Sequence, residues 1–247
     1  MNKPSLLHKT VSCLVAGLTL SALWLSLGNS GTIPWLPPVF IFSLVGLSMI
    51  SSVTYPFIWQ YRESKEPTNS IKTSGFIYSI IRYSVAFNLC RFGWIKLFGL
   101  QFIVPESIAS QPMNQVSGEW LTWFYFGHSF TFGLIVAIIQ IGGAYLLVFR
   151  KTVLLGSIVL FSFMLNLTLI NIFYQMNLGA LLQSIILTFG VLFLMLLDFK
   201  KLVDFFLKAK SGLPGINWSN NLTKNLVRFS VIILPLLYTI YLKSLMK

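Results

Sequence analysis

The sequence predicts an all-α protein, a polytopic transmembrane helix bundle of about seven spans. Three observations predict it. Hydrophobic residues make up 55% of the 247 positions, with 22 phenylalanines, while charged residues make up only 10%. Mean hydropathy is +0.78. A soluble domain of this size has no core large enough to bury so much apolar surface. The apolar residues also fall in long runs, and about 20 such residues cross the hydrocarbon core of a bilayer. Backbone groups in lipid must be satisfied internally, so these runs are expected to be helices.

The expected spans are 10–27, 38–59, 75–102, 121–149, 153–173, 178–197 and 229–242. The first follows Lys3 and Lys9 as a signal peptide would. Its apolar run is long for that role, and Leu27-Gly28-Asn29-Ser30 is a poor cleavage site, so an uncleaved helix is expected. The second is a plain apolar run. The third carries Arg82, Arg91 and Lys96 and is the most polar of the set. The fourth contains Gly133 and Ala137, four apart, with Gly142 and Gly143, which permit close helix packing. Trp94, Trp120, Trp123 and Tyr125 suit an interfacial belt. The fifth and sixth are joined by a short turn. After the sixth, Phe199, Leu202, Val203 and Phe206 follow helical spacing, opposite Lys201, Asp204 and Lys208. That pattern suits either a surface helix or a continuation of the sixth span. Gly212, Pro214 and Gly215 mark a turn region from 211 to 221 before the last span.

Charge sets the expected orientation. Thirteen Lys and Arg fall on the side of the N-terminus, none in the loops 28–37, 103–120 and 174–177, and two (Lys243 and Lys247) on the C-terminal tail. The positive-inside rule then places the N-terminus in the cytoplasm, and the expected location is the bacterial cytoplasmic membrane. The side of the C-terminus follows only if the last span crosses fully.

The net charge of +12 does not indicate nucleic acid, because the cations sit between apolar spans rather than in an aromatic-basic patch. The bilayer is the partner that composition implies. Cys13 and Cys90 form neither a CxxC pair nor a metal-ligand spacing, so no metal site, disulfide framework or thioredoxin-like centre is expected. One span-embedded histidine excludes a bis-histidine haem within the chain.

Polar residues within the spans are the candidate site. A Lys or Arg at a helix centre costs roughly 2.5–3.5 kcal/mol on insertion scales and normally faces a bundle interior or wet cavity. Arg82 lies close enough to the inner interface to snorkel. Arg91 lies about eleven residues from the outer end of its span, roughly 16 Å at the helical rise. His128, Asn166, Asn171 and Gln183 lie in the outer halves of their spans. The expected ligand-binding set is Arg91, Lys96, His128, Asn166 and Asn171, in a polar pocket between spans three to six that opens outward. Glu106 and Glu119, the acids of the outer loop, are the expected ion-pair or proton-relay groups. The same carboxamides and histidine can instead simply join helices by hydrogen bonds. No catalytic set can be named.

From about residue 75 to 202 the chain resembles the DoxX/DoxD-like membrane family. The residues that carry the resemblance are Arg91-Phe-Gly-Trp-Ile-Lys96-Leu-Phe-Gly-Leu-Gln-Phe102, Gln140-Ile-Gly-Gly143, and Phe149-Arg-Lys-Thr152. They continue through Leu155-Gly156, Asn166 to Tyr174, and Leu197-Asp198. The resemblance covers about half of the chain and implies a four-helix core over 73–202. Two helices and a loop in 1–72 precede it, and an amphipathic or loop segment with the last helix follows in 203–247. It also implies a redox-associated or quinone-interacting accessory subunit, with a membrane or soluble oxidoreductase as partner and a quinone as the ligand. No cofactor is otherwise evident. In that reading Arg91 and Lys96 act on a developing quinone oxyanion, and His128 or Glu106 relays protons. Two other readings stay open: a carrier or binding protein for a small anionic or lipidic ligand, and a membrane scaffold without small-molecule chemistry. No inverted repeat marks a transporter, and the oligomeric state is not encoded in any pattern found.

Overall fold

The computed structural model describes residues 4–29, 36–65, 67–209 and 220–245. Among them the regular elements are helical. Six helices are long and apolar enough to cross a membrane: α1 (Leu6–Leu27), α2 (Pro38–Lys65), α6 (Phe130–Val148), α7 (Val153–Phe173), α8 (Leu178–Leu197) and α10 (Asn221–Leu245). The protein is a multi-pass integral membrane protein. The long helix α3 (Pro67–Leu97), of 31 residues, is more polar than these six. Short helices α4 (Glu106–Ala109) and α5 (Gly118–Gly127) follow it, and α9 (Phe199–Val203) follows α8.

The chain forms two compact units, Met1–Leu202 and Val203–Lys247. In the first, α3, α6, α7 and α8 pack in a closed ring, each against the next, with α8 returning to α3. Helix α1 packs on α2, α3 and α8, and α2 also reaches α3. The buried apolar core runs through this group and includes Ile81, Val85, Leu89, Leu147, Leu160, Met164, Leu187 and Val191. The second unit holds α10, an apolar helix with Pro235 inside it, and the π-helical turn Asp204–Lys208. Lys208 pairs with Asp204 at 2.6 Å, the i,i+4 pair that the spacing predicts. The amphipathic segment beyond α8, expected as a surface helix or a continuation of the sixth span, is a short helix, α9, followed directly by the π turn. Positions 211–219 of the expected turn region lie outside the described residues, as do Lys3, Lys210 and Lys247.

Small residues set how closely the helices approach. A Cβ on Gly156 would lie 2.9–3.0 Å from Leu146, the Gly143 carbonyl and the Leu147 amide, so α7 rests on the backbone of α6. A Cβ on Gly190 would meet Val85 of α3 and Thr19 of α1 within 3 Å. Of the small residues that the sequence marks on α6, Ala137 is fully buried and Gly143 faces Leu160, while Gly142 faces open space.

Several boundaries differ from the expected ones, and two of the differences shape the site. The span over 75–102 ends early, because Gly99 adopts φ +66 and caps α3. The Gly99 amide donates to the Lys96 carbonyl at 3.0 Å and the Leu100 amide to the Ile95 carbonyl at 2.9 Å, the Schellman arrangement. The single span over 121–149 is two helices. Ser129 leaves helical geometry and its Oγ accepts from the Phe132 amide at 3.3 Å, so it caps a new helix, α6. The ten-residue α5, about 15 Å long, is too short to cross a bilayer.

One end of the first unit is basic and holds a buried ion pair. Lys9 of α1 is fully buried and its Nζ donates to Glu63 Oε2 and Gln60 Oε1 of α2. The Trp59 ring lies beneath the ammonium, and Trp59 Nε1 donates to Ser70 Oγ of α3 at 3.0 Å. His8 and the Tyr78 hydroxyl are 2.7 Å apart, and Phe193 of α8 packs beside both rings. Three helices thus meet through charged and polar contacts at this end, and α8 joins them through an aromatic ring.

Breaking a buried pair strands one charge, whereas replacing both partners with apolar groups removes the desolvation cost as well. Lys9→Met is therefore expected to lower the unfolding free energy by about 3–5 kcal/mol, and Lys9→Met with Glu63→Leu to recover most of it, as read by denaturant melts in detergent. Overpacking gives a second check: Gly156→Leu should lose about 1–3 kcal/mol, while Gly142→Leu, facing open space, should leave the melt nearly unchanged.

Candidate functional site

Opposite the basic end, α1, α3, α5, α6, α7 and α8 enclose a cavity of about 1020 Å³. Its position follows from α5. A Cβ on Gly118 would lie 2.5 Å from the carbonyl oxygen of Tyr174, just past the end of α7. At the other end of α5, a Cβ on Gly127 would lie 3.0 Å from the carbonyl oxygen of Phe102, just past the end of α3. The helix therefore bridges the ends of α7 and α3. Glu119 at its start accepts from Asn177 Nδ2 at 3.1 Å, which ties it to the cap of α8.

The wall is mainly apolar and aromatic, with Phe92, Phe102, Trp123, Phe126 and Phe132 on one side. Phe102 organises this group. Its ring stacks on Phe126 at 5.2 Å and meets Trp123 edge-on at 6.1 Å. Its backbone sits at φ +68, a conformation unfavourable for an aromatic residue. Such strain persists only where surrounding contacts over-determine it, and it gathers at functional sites.

Among the described residues one cation lines the cavity, Lys96. Its Nζ donates to Gln140 Oε1 of α6 at 3.0 Å and lies 3.4 Å from the Phe92 carbonyl. The Phe92 and Phe102 rings stand 5.9 and 6.0 Å from it. Gln140 is almost fully buried. Among the described residues no carboxylate forms an ion pair with Lys96. Among the described residues the ammonium is thus held by neutral acceptors and π faces.

A second polar group lies deeper. Ser26 of α1 donates to Asn88 Oδ1 of α3 at 2.5 Å, and Gln183 Nε2 of α8 donates to Ser26 Oγ at 2.6 Å. Asn88 Nδ2 donates to the Ser84 carbonyl at 2.8 Å. Gln183 also lines the cavity. Between α7 and α8, the Thr168 and Thr188 hydroxyls are 2.8 Å apart and Asn171 Nδ2 donates to the Ala180 carbonyl at 3.3 Å.

The expected site residues divide as follows. Lys96, Asn166 and Asn171 line the cavity. Arg91 does not; five residues from Lys96, it is turned about 140° away around the helix axis. Its Nη2 instead lies 3.4 Å from Asn29 Oδ1 at the end of α1. His128 is exposed at the corner between α5 and α6, and Glu106 is exposed at the start of α4. Glu119 is at the rim, on Asn177. Neither acid nor the histidine lies in the cavity wall. Trp123 and Tyr125, expected in a belt, line the cavity because α5 turns across the bundle end.

The sequence reading missed Gln140 as the partner of Lys96 and Phe102 as the organiser of the wall. Gln140 was detectable as the only carboxamide in α6. Nothing local marks Phe102, because its strain arises from contacts with α5.

No family model matches the chain. It is 30% identical over 127 residues to the uncharacterized protein YwoB of Bacillus subtilis, a match covering 51% of this chain and 79% of that protein. The chain belongs to the YwoB family. No solved structure matches it. For this YwoB-family chain, then, the site is defined by its own geometry.

The network of Ser26, Asn88 and Gln183 leaves buried polar groups exposed to apolar surroundings if one member is removed, at about 1–3 kcal/mol. Asn88→Leu is expected to destabilise the bundle by that amount, and a double-mutant cycle with Gln183→Leu should show coupling rather than additivity.

Proposed function

We propose that the protein is a binding or carrier protein for an amphipathic, lipidic ligand with an anionic head. The head pairs with Lys96 and the apolar body lies against the aromatic wall. The observation that carries this reading is the Lys96 ammonium, without a carboxylate partner among the described residues, facing a large apolar cavity. An uncompensated cation in such surroundings is costly, and a bound anion offsets the cost. The volume is at the upper end for a small-molecule site, which suits a ligand with a long apolar part.

A quinone is the second reading, in line with the DoxX/DoxD-like resemblance and an accessory redox role. The aromatic wall favours it, since Phe92, Phe102 and Trp123 offer faces and edges to a planar ring. Lys96 would then donate to a quinone carbonyl. The orientation with a cytoplasmic N-terminus is part of the same proposal, and the cavity then lies toward the outer face.

Mass spectrometry of small molecules extracted from gently purified protein tests both readings. A lipidic anion retained by wild type and reduced at least about tenfold in folded Lys96→Gln supports the first. A quinone lost in the same variant supports the second. Identical bulk lipid in both samples rejects a Lys96-dependent site and favours a scaffold.

A further inference from the structure

We propose that the face of α3 turned away from the cavity holds an anionic phospholipid, with its phosphate on Arg91 and an acyl chain against the apolar groove around it. The groove, about 380 Å³, is formed by Phe87, Cys90, Trp94, Ile95, Phe98 and Leu100 around Arg91. Its wall is almost wholly apolar apart from the guanidinium. Trp94 and Phe98 stack at 5.8 Å and an interplanar angle of 24°, giving a continuous aromatic surface. Phe87, Trp94, Phe98 and Leu100 are exposed, so in a multi-pass membrane protein this surface meets lipid.

The guanidinium lies where a headgroup lies. The backbone of Arg91 is six residues inside the end of α3, about 9 Å below it. Its Nη2 nevertheless reaches Asn29, two residues beyond the last residue of α1. Ser26 of α1 also pairs with Asn88, so Asn29 stands level with Arg91 and the guanidinium lies at the depth where α1 ends. Arg91 contacts the Phe92 ring at 5.6 Å, but among the described residues it forms no ion pair with a carboxylate. A phosphate matches the guanidinium fork in two parallel hydrogen bonds, which a neutral amide does not. A headgroup with net negative charge is favoured over a zwitterionic one, whose own cation competes with the guanidinium. This site is independent of the Lys96 cavity: the two cations are turned apart on one helix and their lining residues do not overlap.

The test uses the full chain in nanodiscs of equal phosphatidylglycerol and phosphatidylcholine. Native mass spectrometry then compares the lipids that stay bound on release. Wild type is expected to retain phosphatidylglycerol about threefold to fivefold over phosphatidylcholine, as for one partly exposed ion pair. In a Lys96→Gln background, which removes anionic lipid from the cavity, the preference should persist, and adding Arg91→Gln should abolish it. Equal retention by wild type, a preference lost in Lys96→Gln, or one kept in the double variant overturns the proposal. A second measurement needs no variant: a photoreactive phosphatidylglycerol analogue on wild-type protein should label the stretch 87–100. Labelling confined to α5, α7 and α8 would place the lipid in the cavity and reject the groove site.

Discussion

Helix α3 cannot sit in lipid alone, and the rest of the first unit is arranged by that constraint. It carries Ser84 and Asn88 on faces that are buried, and Arg91 and Lys96 near its end. Each needs a partner that lipid hydrocarbon cannot supply. Helices α1, α2, α6 and α8 all pack against α3, and each contact side brings or leaves room for a polar answer. Ser26 and Gln183 satisfy Asn88, Gln140 receives Lys96, and Asn29 meets Arg91. The apolar helices could in principle pack in many registers, since lipid tails are as apolar as their own side chains. Polar pairing with α3 selects among those registers.

The two ends of the bundle solve the charge problem differently. At the basic end Lys9 is matched by Glu63, so the pair is locally neutral and closes the junction of α1 and α2. At the other end Lys96 has only neutral acceptors among the described residues, and the helices stand apart around a cavity. A neutral pair buried among helices resists opening, because separating it exposes a charge to a low-dielectric interior. An ammonium left with its charge draws an anion. One end is therefore built as a seam and the other as a receptor, from the same residue type in different company.

Much of the helix scaffold was legible because it rests on local composition. Long apolar runs and the Asp204–Lys208 spacing are visible along the chain. The break at Ser129 was written there too, as a capping residue after Gly127-His128, but the apolar content on both sides masked it. The site was legible only as residue types at similar depth. Lys96, Asn166 and Asn171 do converge on one cavity, while Arg91 faces away and His128 and Glu106 stay exposed. Depth follows from counting residues along a helix; convergence depends on the rotation of each helix about its axis, which neighbouring helices determine.

The sequence by itself determined that the chain is an integral membrane bundle, where its helices run, and which few residues are too polar to face lipid. Those are one-dimensional properties: hydropathy summed over a window, and the cost of a charge in hydrocarbon. Only the tertiary structure decided which polar residues became partners. It paired Lys96 with Gln140 across 44 positions and Ser26 with Gln183 across 157. It also laid α5 across the bundle end and forced Phe102 into positive φ against it. Those outcomes arise from packing between distant segments, where the space that one side chain leaves is set by another far away in the chain.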